Sequence, residues 1–335
     1  MISGKGMNAL VVILVDDYGD ATRGPSFEFE TFVPAFRRFF DTVTVFGQDR
    51  ELRARGYFGA ARELKELAAR IAPDVLFCVP FENQLDWQTI GEITENGTPT
   101  VAWMCDDQWR WHDFSRHIAP FFSAVVTTDR DAFIAYHQLA DVRPLLSQWG
   151  VDASRLRPVE TERDIPVSFI GARRPHRERM ISALRSDGIE VLVRGTGWSE
   201  GRASTTDLIE LPARSLISLN FSDSTQRHNK GRTQLKARPF ELAASGSCVV
   251  TEPDPQLAAF FDPEREIVVA RGKRNLASTV RRLLADEDVR AARARATWER
   301  AATQHTYDVR LAKIFSALEI QSELRASEGR LCITR

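Results

Sequence analysis

Cysteine is scarce in this chain: Cys78, Cys105, Cys248 and Cys332 are the only four in 335 residues, and no two form a C-x-x-C pair. That scarcity argues against a disulfide-stapled scaffold, and the missing pairs argue against the common zinc spacings. Three of the four sit in apolar, strand-like runs, where a cysteine acts as a small buried hydrophobe with a reduced thiol. Long apolar runs are lacking too, and none approaches the ~18 residues a membrane-spanning helix needs. The opening MISGKGMN has no apolar core followed by a small-residue cleavage site. A cytoplasmic location is therefore the expectation. There is no excess charge of either sign, since 45 basic and 46 acidic residues leave a formal net charge of −1. A nucleic-acid binder would show a basic excess or stripe, so no nucleic-acid partner is expected. The dinucleotide fingerprint G-x-G-x-x-G and the phosphate loop G-x-x-x-x-G-K-[ST] are both absent.

What remains is an alternation of apolar strands and helices. Residues 9–15, ALVVILV, read as a parallel strand buried on both faces, and Asp16-Asp17-Tyr18-Gly19-Asp20 follows at its carboxyl end. In open α/β sheets that end is where ligands bind. Phe29, Phe32, Phe36, Phe39 and Phe40 recur at helical spacing and read as core. Further strands are expected at 42–46, 74–79, 100–104 and 124–127, with helices at 58–71, 85–95 and 129–139 between or after them. A polar run at 153–164 reads as an inter-domain linker. Beyond it the pattern resumes, with strands at 165–170, 190–194, 216–221, 248–251 and 267–270. The length suits two domains. Their expected bounds are 1–155 for a Rossmann-like first domain and 165–305 for a second. A terminal helix over 306–325 is expected to pack back on the first. The fold class is α/β, two doubly wound domains facing across a cleft.

The stretch 236–252, KARPFELAASGSCVVTE, organises the second half. Lys236 and Arg238 open a short helix carrying Glu241, which stops at Ser245-Gly246-Ser247 before a buried strand. Cations there attract phosphate, and one acid just inside can accept hydrogen bonds from sugar hydroxyls. The pattern K-x-R-x-F-E-x-x-A-x-G, an apolar strand and T-E resembles the donor-binding core of CgeB-like glycosyltransferases, relatives of the group 1 transferases with a GT-B fold. The likeness runs through FFDPEREIVVARGKRNLASTVRRLLADEDVRAARARA to the closing Gln304-His305-Thr306-Tyr307-Asp308-Val309-Arg310. Upstream it includes Phe169-Ile170-Gly171 and Gly195-Thr196-Gly197-Trp198. It covers roughly residues 165–315.

The resemblance implies transfer of a sugar from a nucleotide diphosphate sugar to an acceptor hydroxyl, with retention of configuration. On it, Glu241 takes the ribose while Lys236 and Arg238 stabilise the diphosphate, and the loop at Gly195, Gly197 and Trp198 lies along the nucleotide. The family hallmark is two glutamates eight positions apart; here Thr233 stands in the first position. Gly171, Arg173, Asn220 and Arg232 complete the donor side, with the basic run 222–233 as a loop able to close on phosphate. In VAWMCDDQWRWHDFSRH, Asp106, Asp107 and His112 are the candidate catalytic groups. Carboxylates and an imidazole suit proton work, and an aromatic face suits a sugar ring. Asp16, Asp17 and Trp109 would meet the acceptor, which is a glycan, lipid, protein or small molecule. Asp106-Asp107 lacks metal-binding D-x-D spacing, so no metal and no cofactor is expected, fixed cations taking the metal's part. Two other readings stay open: another nucleotide enzyme, such as a sugar-nucleotide epimerase or an oxidoreductase, and a non-catalytic sugar or nucleotide binder.

Overall fold

The computed structural model describes residues 6–157, 159–222, 233–320 and 330–333. The chain divides into two compact units, one formed by Met1–Gln148 with Tyr307–Arg335 and the other by Trp149–Thr306.

The first unit begins with β1 (Asn8–Ile13), α1 (Phe27–Arg37), β2 (Thr42–Gly47), α2 (Gln48–Ile71), β3 (Val75–Cys78) and α3 (Trp87–Glu95). β4 (Thr100–Met104), two short helices α4 (Asp107–Arg110) and α5 (Arg116–Ile118), β5 (Ala124–Thr127), α6 (Arg130–Tyr136) and β6 (Pro144–Leu146) follow. A π-helical turn over Trp111–Ser115 joins α4 to α5. After the second unit the chain returns with α12 (Tyr307–Ala317) and β12 (Arg330–Ile333). The strands form one parallel sheet in the order β12-β2-β1-β3-β4-β5-β6. β1 is central and apolar on both faces because helices cover both.

Of the phenylalanine stripe, Phe32, Phe36, Phe39 and Phe40 lie in the core, while Phe29 is half-buried. Phe32 and Phe36 pack on Phe77, Phe32 meets Trp103 and Tyr307 edge-on, and Phe36, Phe39 and Phe40 surround Phe315. Arg38 and Asp308 add an ion pair between α1 and α12 at 2.6 Å. Helix α2 starts well before the Phe58 onset read from the sequence. Gly56, at φ 69°, interrupts it, and that break hides the first two turns from a helical-period reading.

The second unit holds β7 (Ile165–Ile170), α7 (Pro175–Ser186), β8 (Leu192–Arg194), α8 (Thr205–Ala213), β9 (Ser215–Asn220) and α9 (Arg238–Ala244). β10 (Cys248–Thr251), β11 (Val268–Val269), α10 (Gly272–Ala285) and α11 (Glu287–Gln304) complete it. Its sheet is also parallel, in the order β11-β10-β9-β7-β8. The polar run 153–164 packs on this unit instead of bridging free. Arg157 N–H donates to the Ala244 carbonyl at 3.0 Å, and Arg163 reaches the carbonyls of Ala213, Ser215 and Gly246. Arginine side chains satisfying buried strand-start carbonyls make a stretch look linker-like in composition while it is held in place. Cys78, Cys105 and Cys248 are buried free thiols. Among the described residues, no helix is long and apolar enough to cross a membrane.

Candidate functional site

In the second unit the chain passes from β7 to β8 on one side of β7 and then to β9 on the other. The topological switch point therefore lies at the carboxyl ends of β7 and β9, where doubly wound sheets bind ligands. Gly171 follows β7, Asn220 ends β9, and right-handed crossover brings the first turn of α9 to the same edge.

The glycines there serve a contact between two loops. Gly195 has φ +143°, and a Cβ on it would sit 2.1 Å from the Gly171 carbonyl oxygen. Gly171 N–H donates to the Arg194 carbonyl at 2.8 Å and Arg173 N–H to the Thr196 carbonyl at 2.8 Å. The Trp198 indole N–H closes the interlock on the Gly171 carbonyl at 2.9 Å, with its ring edge-on to Phe169. Gly197, at φ +87°, approaches the Arg173 Cβ. Trp198 is thus a brace between the loops. Asn220 is buried and donates to Thr251 Oγ1 at 2.8 Å, while the exposed Arg173 pairs with Glu178.

On α9, Arg238 Nη1 lies 3.0 Å from Glu241 Oε2, and Arg155 Nη1 lies 4.0 Å from Glu241 Oε1. The carboxylate therefore stands between two guanidiniums, only one of which the sequence singled out. Lys236 is partly buried just ahead of this turn. Arg232, with most of the basic run 222–233, lies outside the described residues. Two residues outside the candidate site set also meet at these strand ends. His176 Nε2, on the first turn of α7, is 2.6 Å from Oε1 of Glu252, the residue after β10. The other oxygen of Glu252 accepts the Ser222 N–H at 3.2 Å.

In the first unit the switch point falls between β1 and β3. Asp16 is there but committed inward: Arg50 holds it at 2.8 Å and Arg53 holds its second oxygen. The Arg50 hydrogen bond, with Arg53 behind it, keeps its carboxyl below the usual range despite burial. Asp49 ties down the same turn by accepting the Val15 and Asp16 N–H groups at 2.9 and 3.1 Å. Asp17 pairs with Arg23 at 3.0 Å and stays closer to solvent.

Asp106 and Asp107 follow β4 and point to different surroundings. Asp106 is partly exposed in the left-handed region, φ 62°. Asp107 is 2% exposed and accepts from Thr127 Oγ1 at 2.6 Å and Tyr136 Oη at 3.2 Å. Burial pushes its carboxyl up to about 6 against those hydrogen bonds. His112 is exposed on the π-helical turn, its carbonyl taken by His117. Trp109 is partly buried, with the Arg110 guanidinium over its ring. Asp129-Arg130-Asp131, which does have D-x-D spacing after β5, serves as a helix start: Asp129 caps α6 by accepting the Ala132 N–H at 2.8 Å.

Glu28, in the first turn of α1, is a carboxylate the sequence reading missed. Burial, with Asp17 and Asp106 as like-charged neighbours, pushes it up to about 7. A carboxylate raised this way favours the fold while protonated. That contribution is complete below its ordinary value of 4.5 and is lost as pH rises through about 7. Glu28→Gln should therefore stabilise the protein at pH 8 by on the order of 2 kcal/mol and do little at pH 4. Urea denaturation at the two pH values measures this, and equal effects at both would refute it.

Residues 173–316 match the family model described as "Glycosyl transferase-like". No curated protein sequence matches the chain. Among solved structures, Anabaena HepE in complex with UDP-glucose aligns over 94% of this chain and 100% of its own, at 13% identity and TM-score 0.65. Sucrose-phosphate synthase of Thermosynechococcus elongatus aligns over 93% and 99%, at 9% identity and TM-score 0.57. The Listeria monocytogenes protein described as a UDP-N-acetylglucosamine 2-epimerase aligns over 96% and 99%, at 12% identity and TM-score 0.58. The chain thus has the two-domain fold of the GT-B glycosyltransferases, and its second unit carries the glycosyl transferase-like sequence pattern.

Proposed function

We propose that this chain is a glycosyltransferase of the CgeB-like type, moving a sugar from a nucleoside diphosphate sugar to an acceptor hydroxyl with retention and without a metal. One observation carries the reading. The glycosyl transferase-like match begins at residue 173 and covers most of the unit whose switch point gathers the Gly171–Gly195 interlock, Asn220, and the Glu241 carboxylate between Arg155 and Arg238. The bond that breaks joins the anomeric carbon to a β-phosphate oxygen, so negative charge builds on the departing diphosphate. Lys236, Arg238 and Arg173 supply fixed positive charge to it, a role a metal fills elsewhere. Arg238 exchanges its Glu241 partner for phosphate, which frees the carboxylate for ribose hydroxyls. On the first unit, Asp17, Asp106, Trp109 and His112 are the more open groups for an acceptor, whereas Asp16 and Asp107 hold their loops.

A uridine nucleotide is the first donor to test, because HepE is solved with UDP-glucose. UDP at 100 times its dissociation constant should stabilise the protein by about 2.7 kcal/mol, read as a rise in melting temperature. Glu241→Ala should abolish that rise at the same concentration. A shift by NAD alone, or by none of UDP, GDP, ADP, dTDP and CMP, overturns the reading.

A further inference from the structure

We propose that His176, oriented by Glu252, binds the donor's diphosphate through Nδ1. The inference rests on the transferase reading and adds a residue that reading does not contain. Glu252 is an ionisable group at the carboxyl end of β10, beside the switch point, where a free carboxylate would repel phosphate. It is not free. Its side chain is 14% exposed, one oxygen meeting His176 Nε2 at 2.6 Å and the other accepting the Ser222 backbone N–H at 3.2 Å. Its backbone carbonyl accepts from Ser222 Oγ at 3.1 Å, so β9 and β10 are clasped together at their ends.

An ionised carboxylate only accepts, so Nε2 carries the proton of the 2.6 Å bond. The ring is fixed further by its edge-on contact with Phe221, at 6.2 Å and 83°. Nδ1 on the opposite side of the ring has no protein partner among the described residues, and the side chain is 38% exposed. A carboxylate that pins one ring nitrogen and leaves the other toward solvent is an arrangement that presents the second nitrogen to a ligand. The ligand's sign follows from the surroundings. His176 lies on the turn that opens with Arg173 and Arg174, and Arg174 at the helix start caps no N–H with its side chain. Those cations, together with the positive end of the α7 dipole, favour an anion. In the bound state the ring carries both protons, Nε2–H directed to Glu252 and Nδ1–H to a phosphate oxygen.

The test compares UDP with uridine, which lacks phosphate, on the wild type and on His176→Ala, His176→Gln and Glu252→Gln. UDP binding is followed by calorimetry and uridine binding by ligand-observed NMR. Both His176 variants should lose about tenfold or more in UDP affinity, the scale of one charge-assisted hydrogen bond, with uridine affinity unchanged. Glu252→Gln should cost less. Combined with His176→Ala it should add nothing, because it acts through the imidazole. Equal losses for UDP and uridine would reduce the pair to a structural clasp and overturn the proposal, as would full UDP affinity in both His176 variants. Failure of the wild type itself to bind UDP strikes at the donor reading first, a result distinct from either.

Discussion

Gly195→Ala should destabilise the protein by about 3 kcal/mol or more and abolish nucleotide binding together with the fold of its loop. Two costs add at this one position. The backbone sits at φ +143°, where an L side chain is strained, and the new Cβ would be 2.1 Å from the Gly171 carbonyl oxygen. That neighbour is main chain, held by its own hydrogen bonds to Arg194 and Trp198, so it has no rotamer to swing away. Gly188→Ala isolates the first cost. Gly188 has φ +76° with nothing within 4 Å of an added Cβ, and its substitution should cost only about 1 kcal/mol. Urea denaturation of both variants measures the difference. Similar losses in the two would show that the loops separate easily and that the interlock does not hold the switch point.

Asp49→Ala should cost about 3 to 4 kcal/mol, nearly all of it from groups left behind. The Asp49 carboxylate is 3% exposed and receives the Val15 and Asp16 N–H groups. Each buried donor left unsatisfied costs roughly 1–3 kcal/mol. Arg53, 3.7 Å from the same carboxylate, would keep Asp16 as its counter-ion, so the charge balance is disturbed less than the backbone. Asp49→Asn retains one acceptor oxygen and should recover roughly half the loss. Amide exchange at Val15 and Asp16 should accelerate in the alanine variant. Protection unchanged at those two positions would sink the account.

The strands were legible because parallel strands buried on both faces leave continuous apolar runs. Thr100–Met104, Ala124–Thr127, Ile165–Ile170 and Cys248–Thr251 fall where the sequence places them. The parallel-sheet α/β architecture of both units follows from that alternation. Shorter or more polar elements escaped. β6 has three residues and opens with Pro144. α8 carries a readable signal that was passed over, the S-x-x-D capping box of Ser204 and Asp207. The candidate site was legible only as residue types at strand ends. What each carboxylate does there depends on partners distant in sequence. Arg50 and Arg53 turn Asp16 into a brace, and His176 meets Glu252 from 76 residues away. Arg155 reaches Glu241 from a run whose composition suggests nothing but solvent. No local spacing encodes such meetings.

Tyr307 and Phe315 belong to the aromatic core of the first unit, yet they follow the whole of the second in the chain. During synthesis, then, residues 149–306 are added as one uninterrupted stretch before those rings. Phe32, Phe36, Phe39 and Phe40 are made early and wait with one side of their packing unfilled. The first unit therefore cannot complete its aromatic core until the second has been synthesised.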